Sequence, residues 1–210
     1  MRGLRYLAAA VAITGLLTGS AVTAASAATS QGAPAAGGAA GVHLRGGTTA
    51  VTTAPGVASA LLRNGIVPQA IWPGSERVLH GKNGPAVRFG FPVTGGLVTV
   101  SPLGGNVYHD GGIVFRNSRN GKTIEVSQFT IDLTHGDLTG IVNGNRAVRV
   151  PLFRLDLSHA GLAVGRHLVK ARGIVLTLTS VAAKALNATL GTRLFSAGLE
   201  LGTARTVLRF

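Results

Sequence analysis

From residue 86 to 93 the chain alternates: Val87, Phe89, Phe91 and Val93 are apolar, with Ala86, Arg88, Gly90 and Pro92 between them. That is the two-residue period of a half-buried strand. Gly95-Gly96 reads as a turn into a strand over 97–100, and 107–115 is a second long apolar run. Asn120-Gly121 is the hairpin dipeptide that joins this run to 123–133, and Asn143-Gly144 repeats the device between 138–142 and 146–157. Three glycine-bearing turns in close succession describe an antiparallel meander. Segments 168–179 and 199–210 extend it to about eight or nine strands.

Two segments follow a helical pattern. Pro55-Gly56 precedes Val57, Ala58, Leu61 and Leu62, and Asn64-Gly65 closes the segment; Pro near a first turn and Gly just past an end is the usual asymmetry. Ser180 is placed to N-cap a second helix with Val181, Ala185, Leu186 and Leu190 on its apolar side and Gly191 as its stop. Two strands also change phase. Ile124 and Val126 share one parity and Phe129, Ile131 and Leu133 the other; Val148, Val150 and Leu152 give way in the same manner to Phe153, Leu155 and Leu157. One extra residue near Ser127-Gln128, and another between Pro151 and Phe153, keeps a single face buried, so β-bulges are predicted at both places. Long bent strands favour curvature. The expected fold is mainly β, an antiparallel meander forming a β-sandwich or partly closed barrel with two short helices.

The N-terminus supplies an address. Arg2 and Arg5 precede an apolar run over 7–17, and Ala25-Ser26-Ala27 is a small-x-small cleavage site, so 1–27 is expected to be a signal peptide and Ala28 the mature start. Residues 28–41 are Ala/Gly-rich and lack the large side chains that offset ordering entropy, which predicts a flexible linker before one β-rich domain over 42–210. A secreted or cell-wall-associated protein follows, with no transmembrane segment after cleavage. There is no cysteine, hence no disulfide framework and no thiolate chemistry.

Charge narrows the partners. Lys and Arg number 20 against 7 Asp and Glu; without Arg2 and Arg5 the balance is 18 to 7, a net +11. Such a field concentrates polyanions, and outside a cell an anionic envelope polymer of the teichoic type is a natural candidate. Nucleic acid is disfavoured, because beyond residue 27 a single Tyr and a single Trp provide little stacking surface. The same scarcity argues against a membrane barrel with aromatic girdles.

No nucleophile elbow, phosphate loop, HExxH pair or dinucleotide fingerprint is present, so an enzyme is not expected. One duplication stands out. Phe129-Thr130-Ile131-Asp132-Leu133-Thr134-His135 is echoed twenty-four residues later by Phe153-Arg154-Leu155-Asp156-Leu157-Ser158-His159. Both copies end a long strand, and one hairpin partner separates them, so they finish at the same sheet end. Asp132, His135, Asp156 and His159 then have two readings: a shared metal or ligand site of imidazole and carboxylate, or strand-exit turns in which Asp accepts backbone N–H groups and His is merely exposed. Tyr108 and His109 form a further candidate pair. Neighbours on a strand face opposite sides, and His109 shares parity with Val107, Ile113 and Phe115, which points it toward the core.

Residues 89–96, Phe-Gly-Phe-Pro-Val-Thr-Gly-Gly, together with 107–115 and the stretch Leu176-Thr177-Leu178-Thr179 with 182–186, resemble the HtaA-type domain of surface and secreted proteins from high-GC Gram-positive bacteria. The resemblance covers about residues 85–205. It implies a β-rich envelope domain and, from the better-known members, haem capture. The Trp-containing segment that opens the family's domain and brings a tyrosine ligand has no counterpart here, which leaves Tyr108 as the tyrosine of the mature chain. The sequence thus predicts a non-enzymatic, secreted or wall-associated binding module with a basic surface. Haem or metal capture is the alternative, and a secreted enzyme of unknown class a second one.

Overall fold

The computed structural model describes residues 41–82 and 84–210; the expected signal peptide, 1–27, and the linker up to residue 40 lie outside the described residues. Thirteen strands and two helices follow one another: β1 (Val42–His43), β2 (Gly46–Thr53), α1 (Val57–Arg63), β3 (Ile66–Ile71), β4 (Ser75–Gly81), β5 (Gly84–Val100), β6 (Leu103–His109), β7 (Gly112–Asn117), β8 (Thr123–Asp132), β9 (Asp137–Val142), β10 (Arg149–Asp156), β11 (Gly161–Val164), β12 (Leu168–Leu178), α2 (Ser180–Leu190) and β13 (Glu200–Arg209).

The sheet closes on itself. Strands run β5-β2-β13-β12-β10-β9-β8, and β6 pairs with both β8 and β5, which completes an eight-stranded barrel with every pairing antiparallel. Of the two expected shapes this is a barrel, and it is fully rather than partly closed. Closure removes the free edges that a sandwich would leave. The remaining strands are extensions: β4 lies on β5, β3 on β7 and β7 on β8 at one end, β11 on β12 and β1 on β5 at the other.

The predicted bulges form where the phase slips. Register shifts between Ser127 and Thr130 on β8, with Gln128 at φ 50°, and between Pro151 and Phe153 on β10. Both slips keep apolar side chains inward: Ile124, Val126, Phe129 and Ile131 are all buried, as are Leu152 and Leu155. Large apolar residues inside and Arg, Lys and Thr outside are the reverse of a membrane barrel, whose outer band is apolar. Among the described residues no helix is long and apolar enough to cross a membrane.

Three expectations are corrected. Gly95-Gly96 is not a turn: β5 runs through it as one 17-residue strand with a register shift between Val93 and Gly95. The run 107–115 is not one strand, because Asp110 and Gly111 (φ 83°) separate β6 from β7. The cap of α2 is Thr179, whose Oγ1 accepts from the Ala182 amide at 3.1 Å, and the helix buries Ala182, Ala183, Leu186 and Leu190 while Val181 is exposed. Moving the cap one residue back rotates the assignment of faces.

Both helices belong to one end of the barrel. α1 follows the last residue of β2 and α2 follows the last of β12, and they pack on β5 with β3 and on β10 with β8 and β7. Leu190 at the end of α2 is fully buried, and Asn117 Nδ2 donates to its carbonyl at 2.8 Å. The opposite end, where β2, β6, β9 and β12 begin, carries turns and no helix.

Candidate binding surfaces

Tyr108 and His109 are neighbours on β6 and divide between the two faces. His109 points inward and is 5% exposed. Its Nε2 lies 2.7 Å from Thr49 Oγ1, which in turn lies 3.0 Å from Thr206 Oγ1, so β6, β2 and β13 contribute a short polar chain to an otherwise apolar interior. Nδ1 is buried and has no hydrogen-bond partner among the described residues. Burial pushes the ring's pKa down to about 4, against the opposing pull of the Phe129 and Val107 backbone groups, so the imidazole is neutral at ordinary pH. On the helix-covered side lies a cavity of about 80 Å³ walled by Phe89, Phe91, Phe129 and Phe195. The Phe91 and Phe129 rings meet edge to face at 4.9 Å.

Tyr108 points outward, 48% exposed, into a polar recess of about 340 Å³ with Thr94, Asp110, Gln128, Thr130 and Arg149. Arg149 is held there by donating to the Gln128 carbonyl at 2.7 Å and to Thr139 Oγ1 at 3.3 Å. The left-handed backbone of Gln128 at the β8 bulge turns that carbonyl toward Arg149, so the bulge shapes the recess.

The duplicated segments form two turns at the helix-free end. Asp132 accepts the Thr134 and His135 amides at 2.8 and 3.1 Å, and its second oxygen lies 2.7 Å from His135 Nδ1. Asp156 accepts the Ser158 amide and hydroxyl at 2.9 and 2.6 Å, with His159 Nδ1 at 3.9 Å. These contacts hold both carboxylates below their usual pKa, through His135 in one case and Ser158 in the other, and Asp132 raises that of His135. Asp137, between the two turns, pairs with Arg154 at 2.6 Å. Each Asp thus works within its own turn. Among the described residues no three His, Asp or Glu side chains gather to hold a metal ion, so the four residues do not meet as a shared metal centre.

A feature not visible in sequence order lies on the outer wall formed by β4, β5, β2, β13 and β12. Arg77 stands directly opposite Arg88, and Arg172 directly opposite Arg205. Thr52 lies between the two pairs, opposite both Arg88 and Thr203, and accepts from Arg88 Nε at 3.2 Å. Arg88 and Arg205 share a groove of about 400 Å³ with Thr48, Thr52 and Thr203. Neither these four arginines nor the neighbouring Lys170 takes part in an ion pair among the described residues. Like charges directly across a ladder oppose folding. The wall therefore concentrates unneutralised positive charge.

Comparison with solved structures supplies a precedent for the architecture. The chain is similar to the C-terminal domain of HtaA from Corynebacterium glutamicum, with a TM-score of 0.50 at 13% identity over 78% of this chain and 98% of that one. It is also similar to the haem-binding protein HtaB from the same organism, with a TM-score of 0.41 at 11% identity over 81% of this chain and 96% of that one. No family model matches the sequence, and no curated protein matches it. In fold, the chain is HtaA-like.

Proposed function

We propose that this chain is a non-enzymatic binding module of the cell envelope that holds an anionic polymer on the outer wall of its barrel. The observation that carries this reading is the pair of cross-strand arginine couples, Arg77 with Arg88 and Arg172 with Arg205, around a threonine-lined groove. Guanidinium forks match phosphate oxygens bidentately, and threonine hydroxyls complete hydrogen bonds between them. A repeating phosphodiester brings charge at regular intervals to such a wall.

The test is binding of a polyglycerol-phosphate polymer to wild type and to the double variant Arg88→Gln/Arg205→Gln at several salt concentrations. Affinity is expected to fall steadily with salt, since exposed charges are screened over about 8 Å at physiological ionic strength. The double variant is expected to bind about tenfold more weakly, at a few tenths to one kcal/mol per exposed contact, and to be at least as stable as wild type because both cross-strand repulsions are relieved. Salt-independent binding, or a variant that binds as wild type, refutes the proposal.

Haem or metal capture is a second reading, favoured by the exposed phenol of Tyr108 beside Arg149. A tyrosine phenolate is a known axial ligand of haem iron, and bound haem would bring redox and ligand-binding chemistry of its own. Tyr108 fits the role of ligand, and Arg149 that of partner to a propionate. His109 does not fit as a second ligand: it faces the opposite side of β6, and its Nε2 is engaged by Thr49 inside the barrel. On this reading a hemin titration of wild type gives a phenolate-type absorption band that Tyr108→Phe abolishes, and its persistence in the variant rules Tyr108 out.

A further inference from the structure

The barrel interior is not uniformly filled. Beside the Thr49-Thr206 hydroxyls, and reaching to the helix-free end, lies a cavity of about 220 Å³. Its wall is almost entirely aliphatic, with Val107, Leu155, Val169, Ile174 and Leu176 among the side chains that face it. For scale, an apolar protein cavity of about 150 Å³ stays dry and takes up benzene. Its lining follows β12 from Val169 to Leu176, roughly 20 Å of tilted strand at about 3.3 Å per residue.

Its position gives it a way out. Both helices cover the opposite end, whereas here the rim is made by Leu103 at the start of β6 and Leu162 on β11, which are 40% and 48% exposed. Leu133 and Leu157, one residue past Asp132 and Asp156, also face the cavity, so the duplicated turns form part of the same rim. Apolar residues at a turn that leads into an apolar channel have no packing reason to stay in water. The lining continues past the bonded Thr49-Thr206 hydroxyl pair to Val51, Ala204 and Leu176, so those hydroxyls are a polar spot on the wall.

We infer that this end of the barrel is a binding site for a single unbranched aliphatic chain, such as the end of an acyl or alkyl group, inserted between Leu103 and Leu162 toward Leu176. A lining that extends from the rim along β12 and is almost entirely aliphatic favours a chain over a ring, and the exposed leucines of the rim leave the head group of such a molecule in solvent. Eight-stranded barrels are the size at which an interior can hold one small ligand. The site is separate from the basic outer wall and stands or falls independently of polymer binding.

The probes are 1-octanol and benzene, added to the exported chain below their solubility limits. Octanol is expected to raise the melting temperature saturably by about 3 °C or more, and benzene by much less. In methyl NMR, octanol is expected to shift Leu157, Val169, Ile174 and Leu208. Ala171→Leu places a larger side chain in the channel, and the folded variant is expected to lose the octanol response. No stabilisation of wild type by octanol overturns the inference, as does an equal or larger response to benzene. Methyl shifts confined to residues outside the channel overturn it too, whether or not the Ala171→Leu variant folds. So does a folded Ala171→Leu variant that responds as wild type.

Discussion

Between pH 6.5 and about 4 the domain is expected to lose about 3 kcal/mol of stability, and His109 is the cause. Its ring is 5% exposed among phenylalanines, and burial lowers its pKa from 6.5 to about 4. In the unfolded chain the imidazole takes up a proton near pH 6.5; in the barrel it resists until about pH 4. Within that window the unfolded state binds more protons, so stability falls as pH falls, by about 1.4 kcal/mol for each pH unit between those two values. The contribution is fully present above pH 6.5. His135 acts with the opposite sign, since Asp132 raises its pKa and the stability it adds is lost as pH rises. That histidine is exposed, so its effect is small. Asp132 and Asp156 have lowered values, and stability tied to them is lost as pH falls through those values, below the His109 window. Denaturant midpoints at pH 7.0 and 4.5 check the result. His109→Gln, which retains a group able to bond Thr49, is expected to remove most of the difference, whereas His135→Gln is expected to leave it intact. Equal pH dependence in wild type and His109→Gln would show that another group titrates.

Gly105→Ala is expected to cost at least about 4 kcal/mol, a large share of the roughly 5–15 kcal/mol that holds a domain folded. Gly105 sits on β6 opposite Val98 of β5 with φ at +94°, and a Cβ there would lie 1.9 Å from the Leu97 carbonyl oxygen. The obstacle is backbone, so no rotamer change relieves it; the β5-β6 ladder must separate, and that ladder is one of the eight seams of the barrel. Gly121→Ala is the control. It also has a positive φ, +73°, but no atom lies within 4 Å of its added Cβ, so only the left-handed conformation is penalised, at about 1–2 kcal/mol. Denaturant melts of the two variants separate steric exclusion from backbone preference.

Much of the architecture was legible because it depends on neighbours in sequence. The bulges at Ser127-Gln128 and Pro151–Phe153 show as breaks of parity, and the inward direction of His109 follows from its parity with Val107. Both short helices are marked by Pro, Gly and hydroxyl residues at their ends. Strand β2 escaped notice because Gly-Gly-Thr-Thr-Ala-Val-Thr-Thr has few large apolar side chains; its burial comes from lying between β5 and β13. Gly95-Gly96 misled because paired glycines serve a bulge as well as a turn. The basic wall could not be read at all. Arg77, Arg88, Arg172 and Arg205 come together only after strands far apart in sequence pair, and nothing in the local pattern of any one of them differs from an ordinary exposed arginine.

The seam between β2 and β13 joins Gly46–Thr53 to Gly202–Arg209, eight consecutive residue pairs that bring the two extremes of the domain side by side. A chain emerging N-terminus first cannot close this ring until its final strand is free. Until then β2 and β12 both present unsatisfied ladder edges, and the polar layer of Thr49, Thr206 and His109 is incomplete. Contacts so distant in sequence place the domain among slow, late-closing folds. Closure of the ring therefore waits on β13, however early the strands from β5 to β12 have paired.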